Sequence, residues 1–482
     1  MQRVHPSIDH LDAVFIGGAW RAATGSTRDV GSPTDGSLLA SVTTPSIADA
    51  TSAIDAAHSA RDTWARTPLA DRVAACGRWL ELVDARAAEL DGIWAVEAGM
   101  PVRHSKAIHR YATVPAWRAA LDGAADVLAD RHTDVAGGTV TVRLEAVGAV
   151  VAILPYNGPV LTVASKVIPA LLAGCPVVVK AAPESHLTMA VVADCARQAG
   201  FPDGVLSIVT GDVEVAKTLT RDARVDLVSL TGGHVAAQDV LDATRDRYAR
   251  TQLELGGKSP AIVLDDADLS AVLRIVVPGA TNGAGQVCAA LSRILVSHNR
   301  HDEIVDALKA AWGRLVIGDP RDPATHIGPL INERARTRTE DAVAKALADG
   351  ARLVAGGGRP AGFDAGWYHE PTLFTDVAEQ SSLVQDEVFG PVTAVQTYRD
   401  IDDAVRLANA TRFGLSGAVF TADTALGVDV ATRIRSGAVA VNSLGPSMAA
   451  PFGGMKASGW GRESGALGIL GFTETKQILV GA

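Results

Sequence analysis

Val147-Gly-Ala-Val-Val-Ala-Ile-Leu154, Pro176-Val-Val-Val-Lys180, Val205 to Val209 and Val225 to Leu230 are short apolar runs, each bounded by Gly, Pro or Asp. Between them, Val160 to Ala173, Leu187 to Ala199 and Val213 to Leu219 change to helical period. Strands that are apolar throughout, alternating with short helices, predict a parallel sheet covered on both faces. The alternation restarts after Gly256-Gly257: Ala261 to Leu264 and Ile294 to Ser297 are strand-like, Leu269 to Ala284 and His301 to Leu315 helical. This predicts a second α/β domain. Upstream, Ser46-Ile-Ala-Asp49 has the form of a capping box opening a helix to about Trp64, and Leu69 to Ala98 continues in helical period with Gly99 as its stop.

Composition narrows the function classes. The chain has 482 residues and 48% apolar content, enough for two or three domains with a large core. With 44 basic against 54 acidic residues the formal charge is −10, which argues against a nucleic-acid partner. Cys76, Cys175, Cys195 and Cys288 have no CxxC spacing, so neither a metal site nor a disulfide framework is expected. Residues 1–30 lack a basic start followed by an apolar core, and no apolar run is long enough to span a bilayer. A soluble, cytoplasmic protein is expected.

Four segments could carry chemistry. Leu230-Thr-Gly-Gly-His234 follows a strand and opens a helix, where a phosphate could approach backbone N–H groups, although a plain tight turn reads the same way. Cys288, in Asn282-Gly-Ala-Gly-Gln-Val-Cys288, has small neighbours that leave room for nucleophilic attack on a carbonyl. A lone Cys is more commonly a small buried hydrophobe. Glu254 stands between two leucines in Gln252-Leu-Glu-Leu-Gly-Gly-Lys258, where burial would raise its pKa toward general-base range. Asn157, in Leu154-Pro-Tyr-Asn-Gly-Pro159, is held between two prolines, which suits a fixed amide donor or an Asx turn.

Taken with Val179-Lys180, Glu387-Val-Phe-Gly-Pro391 and Pro451-Phe-Gly-Gly-Met-Lys456, and with 34 residues between Glu254 and Cys288, these motifs resemble the aldehyde dehydrogenase superfamily over nearly the whole chain. The resemblance implies an aldehyde dehydrogenase-like α/β fold: two doubly wound parallel-sheet domains plus a small β oligomerisation extension. Residues 1–122 and 144–256 would form the dinucleotide-binding domain, 257–469 the catalytic domain, and 123–143 with 470–482 the oligomerisation strands of a homodimer or homotetramer.

The same resemblance implies NAD(P)-dependent oxidation of an aldehyde to a carboxylic acid. Cys288 would be the nucleophile and Glu254 the base that activates water. Asn157 and the Cys288 N–H would form the oxyanion hole, while Lys166 and Glu463 would serve proton relay or water positioning. Cofactor contacts are expected from Leu154, Tyr156, Lys180, Pro183, Glu184, Gly211, Thr231, Gly232, Leu255, Glu387 and Phe389. Gly158, Thr162, Ser165, Val287, Ala289, Pro446 and Phe452 would line the substrate tunnel.

Two departures bear on specificity. Many NAD-preferring members carry Glu three residues after the strand-end Lys, where this chain has Pro183 with Glu184 next. That leaves NADP open, and the absence of an Arg beside Lys180 favours NAD. Gly233 replaces a usual serine. Gly158, Ser165 and Pro446 stand where bulky groups are common, so a wide tunnel for medium or bulky apolar aldehydes is expected, and no Arg among these positions argues against carboxylate-bearing semialdehydes. A CoA-acylating enzyme, a non-redox thiol esterase and a non-catalytic binding protein are the alternatives; the first commonly lacks the counterpart of Glu254.

Overall fold

The four apolar runs lie side by side as the parallel centre of one sheet. In order its strands are Gly459–Trp460, Arg250–Glu254, Leu227–Thr231, Val150–Leu154, Val177–Ala181, Leu206–Thr210, Ala13–Ile16 and Ala19–Ala22, with antiparallel pairing only at the two edges. The computed structural model describes residues 8–481. Residues 1–7 and 482, the outer ends of the expected first and last segments, lie outside the described residues.

Side chains alternate across the sheet as strand period requires. Val150, Ala152, Leu154, Val177 and Val179 pack into one apolar cluster, and Val151 and Val178 into another. Both faces are therefore covered, which explains why these strands read as unbroken apolar runs rather than alternating ones.

A second, seven-stranded sheet runs Arg352–Ala355, Thr372–Thr375, Val392–Tyr398, Arg293–Ser297, Pro260–Val263, Ser416–Phe420 and Ala438–Val441. All its pairings are parallel except that of Arg352–Ala355. A third sheet joins the tail Thr473–Gly481 to Gly138–Ala146 and Arg131–Val135.

The chain departs from the sequence reading at several joints. The expected β extension from 123 begins as helix, since Val114–Val127 continues to Val127, and its long strand ends at Ala146 rather than 143. Gly459–Trp460, inside the segment expected to be catalytic, adds a strand to the first sheet. The stretch 69–98 is two helices, Leu69–Ala85 and Ala87–Ala98, which meet at Arg86. Helix Leu269–Thr281 contains Pro278 and stops before Ala284, which takes φ of 54° in a turn between two left-handed glycines. The capping box holds: Ser46 accepts from the Asp49 N–H, and Asp49 accepts from the Ser46 N–H. Among the described residues no helix is long and apolar enough to cross a membrane.

Candidate active site

In open α/β sheets, ligands bind beyond the carboxyl ends of the parallel strands. Three of the motifs leave the first sheet at that edge. Val150–Leu154 runs into the Pro-Tyr-Asn-Gly turn, Leu227–Thr231 into Gly232-Gly233, and Arg250–Glu254 ends on Glu254, paired in register with Thr231. The second sheet contributes the loops before two of its strands, which carry Cys288 and Glu387 to Phe389. They enclose a cavity of about 660 Å³, within the range of small-molecule sites.

Its wall includes Tyr156, Asn157, Gly158, Thr162, Ser165, Glu184, Thr231, Gly232, Glu254, Leu255, Val287, Cys288, Ala289, Glu387, Phe389, Pro446, Phe452 and Glu463. Five expected site residues are not part of it. Leu154 is buried in the sheet and Lys166 lies behind the wall. Lys180, Pro183 and Gly211 are off the cavity too, although Glu184 influences the charge on Lys180.

Two hydrogen-bonded groups organise this cavity. Asn157 Nδ2 donates to the Gln286 carbonyl at 2.8 Å, which commits one of its two N–H bonds and leaves the other. The Gln286 side-chain oxygen accepts from Tyr156 Oη at 2.9 Å and from the Ile331 N–H at 3.0 Å, and its Nε2 donates to the Gly283 carbonyl at 3.1 Å. Gln286 thus ties the Asn157 turn to the Cys288 loop. Gln286 lies within the Asn282-Gly-Ala-Gly-Gln-Val-Cys288 motif, whose pattern marks the segment but not the long-range partners of this side chain.

The second group is a buried chain of charge. Lys166 Nζ lies 2.5 Å from Glu463 Oε2 and 3.2 Å from Ser229 Oγ, while Ser165 Oγ donates to Glu463 Oε1 at 3.1 Å. Lys166 and Ser165 sit on a π-helical turn, Val163–Val167, inside the helix read from Val160. Glu254 is buried with neither carboxylate oxygen hydrogen-bonded. Burial first, and then repulsion from Glu463, pushes its pKa well above the carboxylate range, against the pull of Lys166. Burial together with Glu387, Glu254 and Glu463 pushes the Cys288 thiol up to about 12, so at rest it carries its proton.

The other end of the cavity fits a dinucleotide. Helix His234–Thr244 opens without a side-chain cap, Thr231 Oγ1 is buried with no partner, and a Cβ at Gly233 would meet nothing within 4 Å. Free N–H groups and an orphaned hydroxyl suit a pyrophosphate. Glu387 accepts from the Gly257 N–H at 3.1 Å, and a Cβ at Gly256 would lie 2.1 Å from its Oε2, so only glycine admits this carboxylate. Phe389, at φ of 54°, packs edge-on against Tyr156 with ring centres 6.4 Å apart.

Arginines from distant segments reach both ends of the cavity, contrary to the expectation from local sequence. No Arg stands beside Lys180 in sequence, but strand Thr27–Gly31 brings Arg28 to 3.7 Å from Glu184 and within electrostatic range of Lys180. Likewise Arg334 and Arg338, neither of them anticipated, line the cavity from helix Glu333–Ala348. Arg338 donates to the carbonyls of Val388 and Phe389 at 2.9 and 3.2 Å, which secures the Phe389 turn. Among the described residues no group of three His, Cys, Asp or Glu side chains is placed to hold a metal ion.

A nucleotide-type parallel sheet whose carboxyl edge faces a thiol and a buried carboxylate defines an oxidoreductase that works on carbonyl compounds. The chain belongs to the aldehyde dehydrogenase family, whose model matches residues 20–478. It is 35% identical to geranial dehydrogenase of Castellaniella defragrans, covering 98% of this chain and 99% of that protein. Its fold matches a Mycobacterium tuberculosis aldehyde dehydrogenase complexed with NAD+ at a TM-score of 0.94, with 37% identity over 97% and 98% of the two chains. It also matches aldehyde dehydrogenase C of Pseudomonas syringae, a mutant complexed with NAD+ and octanal, at a TM-score of 0.92, with 34% identity over 99% and 98% of the chains.

Proposed function

We propose that this protein oxidises a medium or bulky apolar aldehyde to its carboxylic acid with NAD, through a thioester on Cys288 that water hydrolyses with Glu254 as base. The observation that carries this reading is the single cavity onto which Cys288, Glu254 and Asn157 open together with the dinucleotide-type end at Thr231 to Gly233. Residues 1–122 and 144–256 would hold the dinucleotide, 257–469 the reacting cysteine, and 123–143 with 470–482 a dimer or tetramer interface.

The Cys288 proton passes to solvent as sulfur bonds to the aldehyde carbon, and the carbonyl oxygen becomes an oxyanion. The free Asn157 N–H and the Cys288 backbone N–H stabilise it, each donor being worth about 2.7–4 kcal/mol in comparable sites. When bound, NAD supplies the acceptor for the two electrons and hydrogen that leave the substrate carbon; Thr231, Gly232 and Glu184 would hold it toward the adenosine end and Glu387 toward the nicotinamide. Glu254 next removes a proton from water as the oxygen attacks the thioester carbon. The C–S bond breaks, the acid leaves, and the proton returns Cys288 to its thiol. A buried Glu254 without a hydrogen-bonded partner suits this proton transfer because its affinity for a proton is raised.

The test is reduced-nicotinamide absorbance with NAD and NADP in parallel, across aldehydes from acetaldehyde through octanal and geranial to succinic semialdehyde, without CoA. Highest kcat/KM for an apolar medium-chain aldehyde is expected. Turnover only on adding CoA would overturn the role given to Glu254.

A further inference from the structure

Arg334 and Arg338 stand one turn apart on helix Glu333–Ala348, so they share one of its faces, and both line the cavity. Arg338 is committed to the carbonyls of Val388 and Phe389. Arg334 is exposed, and among the described residues it makes no hydrogen bond or ion pair. Its charge acts on the Tyr156 hydroxyl, as do those of Arg338, Glu184 and Glu387, which sets it at the dinucleotide-type end of the cavity. The helix itself has no use for this cation. In the first turn a positive side chain meets the positive end of the helix dipole, and two like charges four residues apart repel each other.

A free guanidinium on a cavity wall, in a place that its own helix disfavours, suits an anion that arrives with a ligand. In NAD the pyrophosphate is the anionic part, and the oxidised nicotinamide ring is positive. The Thr231 to Gly233 turn, on the same cavity, offers N–H groups and an unpartnered hydroxyl but no full charge. We propose that Arg334 is a cofactor-binding residue that pairs with the pyrophosphate from the side of the second sheet. The phosphates are then held between N–H groups of one domain and a guanidinium of the other. This rests on the dinucleotide reading given above and adds a residue to it. A planar guanidinium can donate to two phosphate oxygens at once, and the paired anion offsets both repulsions at the helix start. Because helix Glu333–Ala348 belongs to the part of the chain that carries Cys288, the pairing also ties the bound cofactor to the domain of the reacting thiol.

The experiment titrates the full-length protein by calorimetry, without aldehyde, using NAD and ADP-ribose. ADP-ribose keeps the pyrophosphate and lacks the nicotinamide. Arg334→Gln is expected to weaken both ligands about tenfold, and Arg334→Lys, which keeps the charge but not the fork, to weaken both by less. Without cofactor, Arg334→Gln should melt no lower than the unsubstituted protein, because a disfavoured charge is gone. The proposal is overturned if Arg334→Gln binds both ligands as tightly as the unsubstituted protein, or if only NAD weakens. A lower melting temperature of the cofactor-free variant would also overturn it, by assigning Arg334 to the fold. Failure of the unsubstituted protein to bind NAD would overturn the dinucleotide reading and this pairing with it. NAD that binds but is reduced with no aldehyde would sink the proposed reaction alone, and the titrations would still decide the role of Arg334.

Discussion

Lys166 Nζ and Glu463 Oε2 are 2.5 Å apart, both side chains are out of solvent, and the two act in opposite senses on Glu254. Glu463 repels the ionised Glu254 and Lys166 attracts it, with burial the largest influence of the three. Replacing Glu463 with Gln removes the repulsion and uncovers the Lys166 charge, and both changes lower the Glu254 pKa. Glu254 is a base only when ionised, so activity rises with pH through its pKa. The acidic limb of the kcat profile of Glu463→Gln should therefore move to lower pH. A limb that stays in place or moves upward would show that Glu254 is not the group titrating.

Glu254→Gln separates the two halves of the reaction. With no base for water, thioester hydrolysis should fall by about 10² to 10⁴. Rapid mixing with NAD and aldehyde should still give a burst of up to one reduced cofactor per Cys288, and mass spectrometry should find an acyl group on that residue. Loss of the burst as well would assign Glu254 to thiol activation first.

Reactivity of Cys288 is set by carboxylates as well as by burial. Glu387 is the strongest electrostatic influence raising its pKa. In Glu387→Gln the side-chain oxygen can still accept from the Gly257 N–H, but the charge is gone. Alkylation of Cys288 by iodoacetamide follows the thiolate, so its rate should climb about tenfold per pH unit below the pKa, and the variant's profile should lie at lower pH. Cys76, Cys175 and Cys195 are buried and should not interfere.

Residues legible in the sequence owe their places to local rules. The Ser46–Asp49 box closes within one turn, and the strand end at Leu227–Thr231 follows from an apolar run met by glycine. Arg28 reaches Glu184 across 156 positions, and Gln286 reaches Tyr156 across 130. Neither pairing leaves a periodic trace. The helix read through Ala284 failed because Ala284 holds a positive φ between two glycines that do the same, and alanine gives no signal of that conformation.

The Arg28–Glu184 pair bears on cofactor choice. Glu184 lines the cavity and is half-exposed, with Arg28 at 3.7 Å and the largely buried Lys180 within its field. As a carboxylate it repels a 2′-phosphate while it occupies Arg28. Glu184→Ala removes the repulsion and leaves two cations, so the ratio of NADP to NAD affinity, read by tryptophan fluorescence, should rise by roughly tenfold. An unchanged ratio would mean that the ribose lies beyond the reach of this pair.

Two glycines of the site should respond oppositely to substitution. Gly285 has φ of 70°, and a Cβ there would lie 2.1 Å from the Gly390 carbonyl oxygen and 2.8 Å from Pro391 N, backbone atoms that cannot turn aside. Gly285→Ala should therefore distort the turn into Cys288, destabilise the protein by about 1–3 kcal/mol or more in denaturant unfolding, and slow acylation. Gly233, the uncapped start of helix His234–Thr244, has extended backbone and open space around its Cα. Gly233→Ser supplies a capping hydroxyl worth a few tenths of a kcal/mol and a further donor toward a bound phosphate. NAD affinity of Gly233→Ser should rise modestly with no loss of stability. Weaker NAD binding would mean that the pyrophosphate needs the space the glycine leaves, and the anion site would then lie closer to the Gly232-Gly233 backbone than a side chain permits.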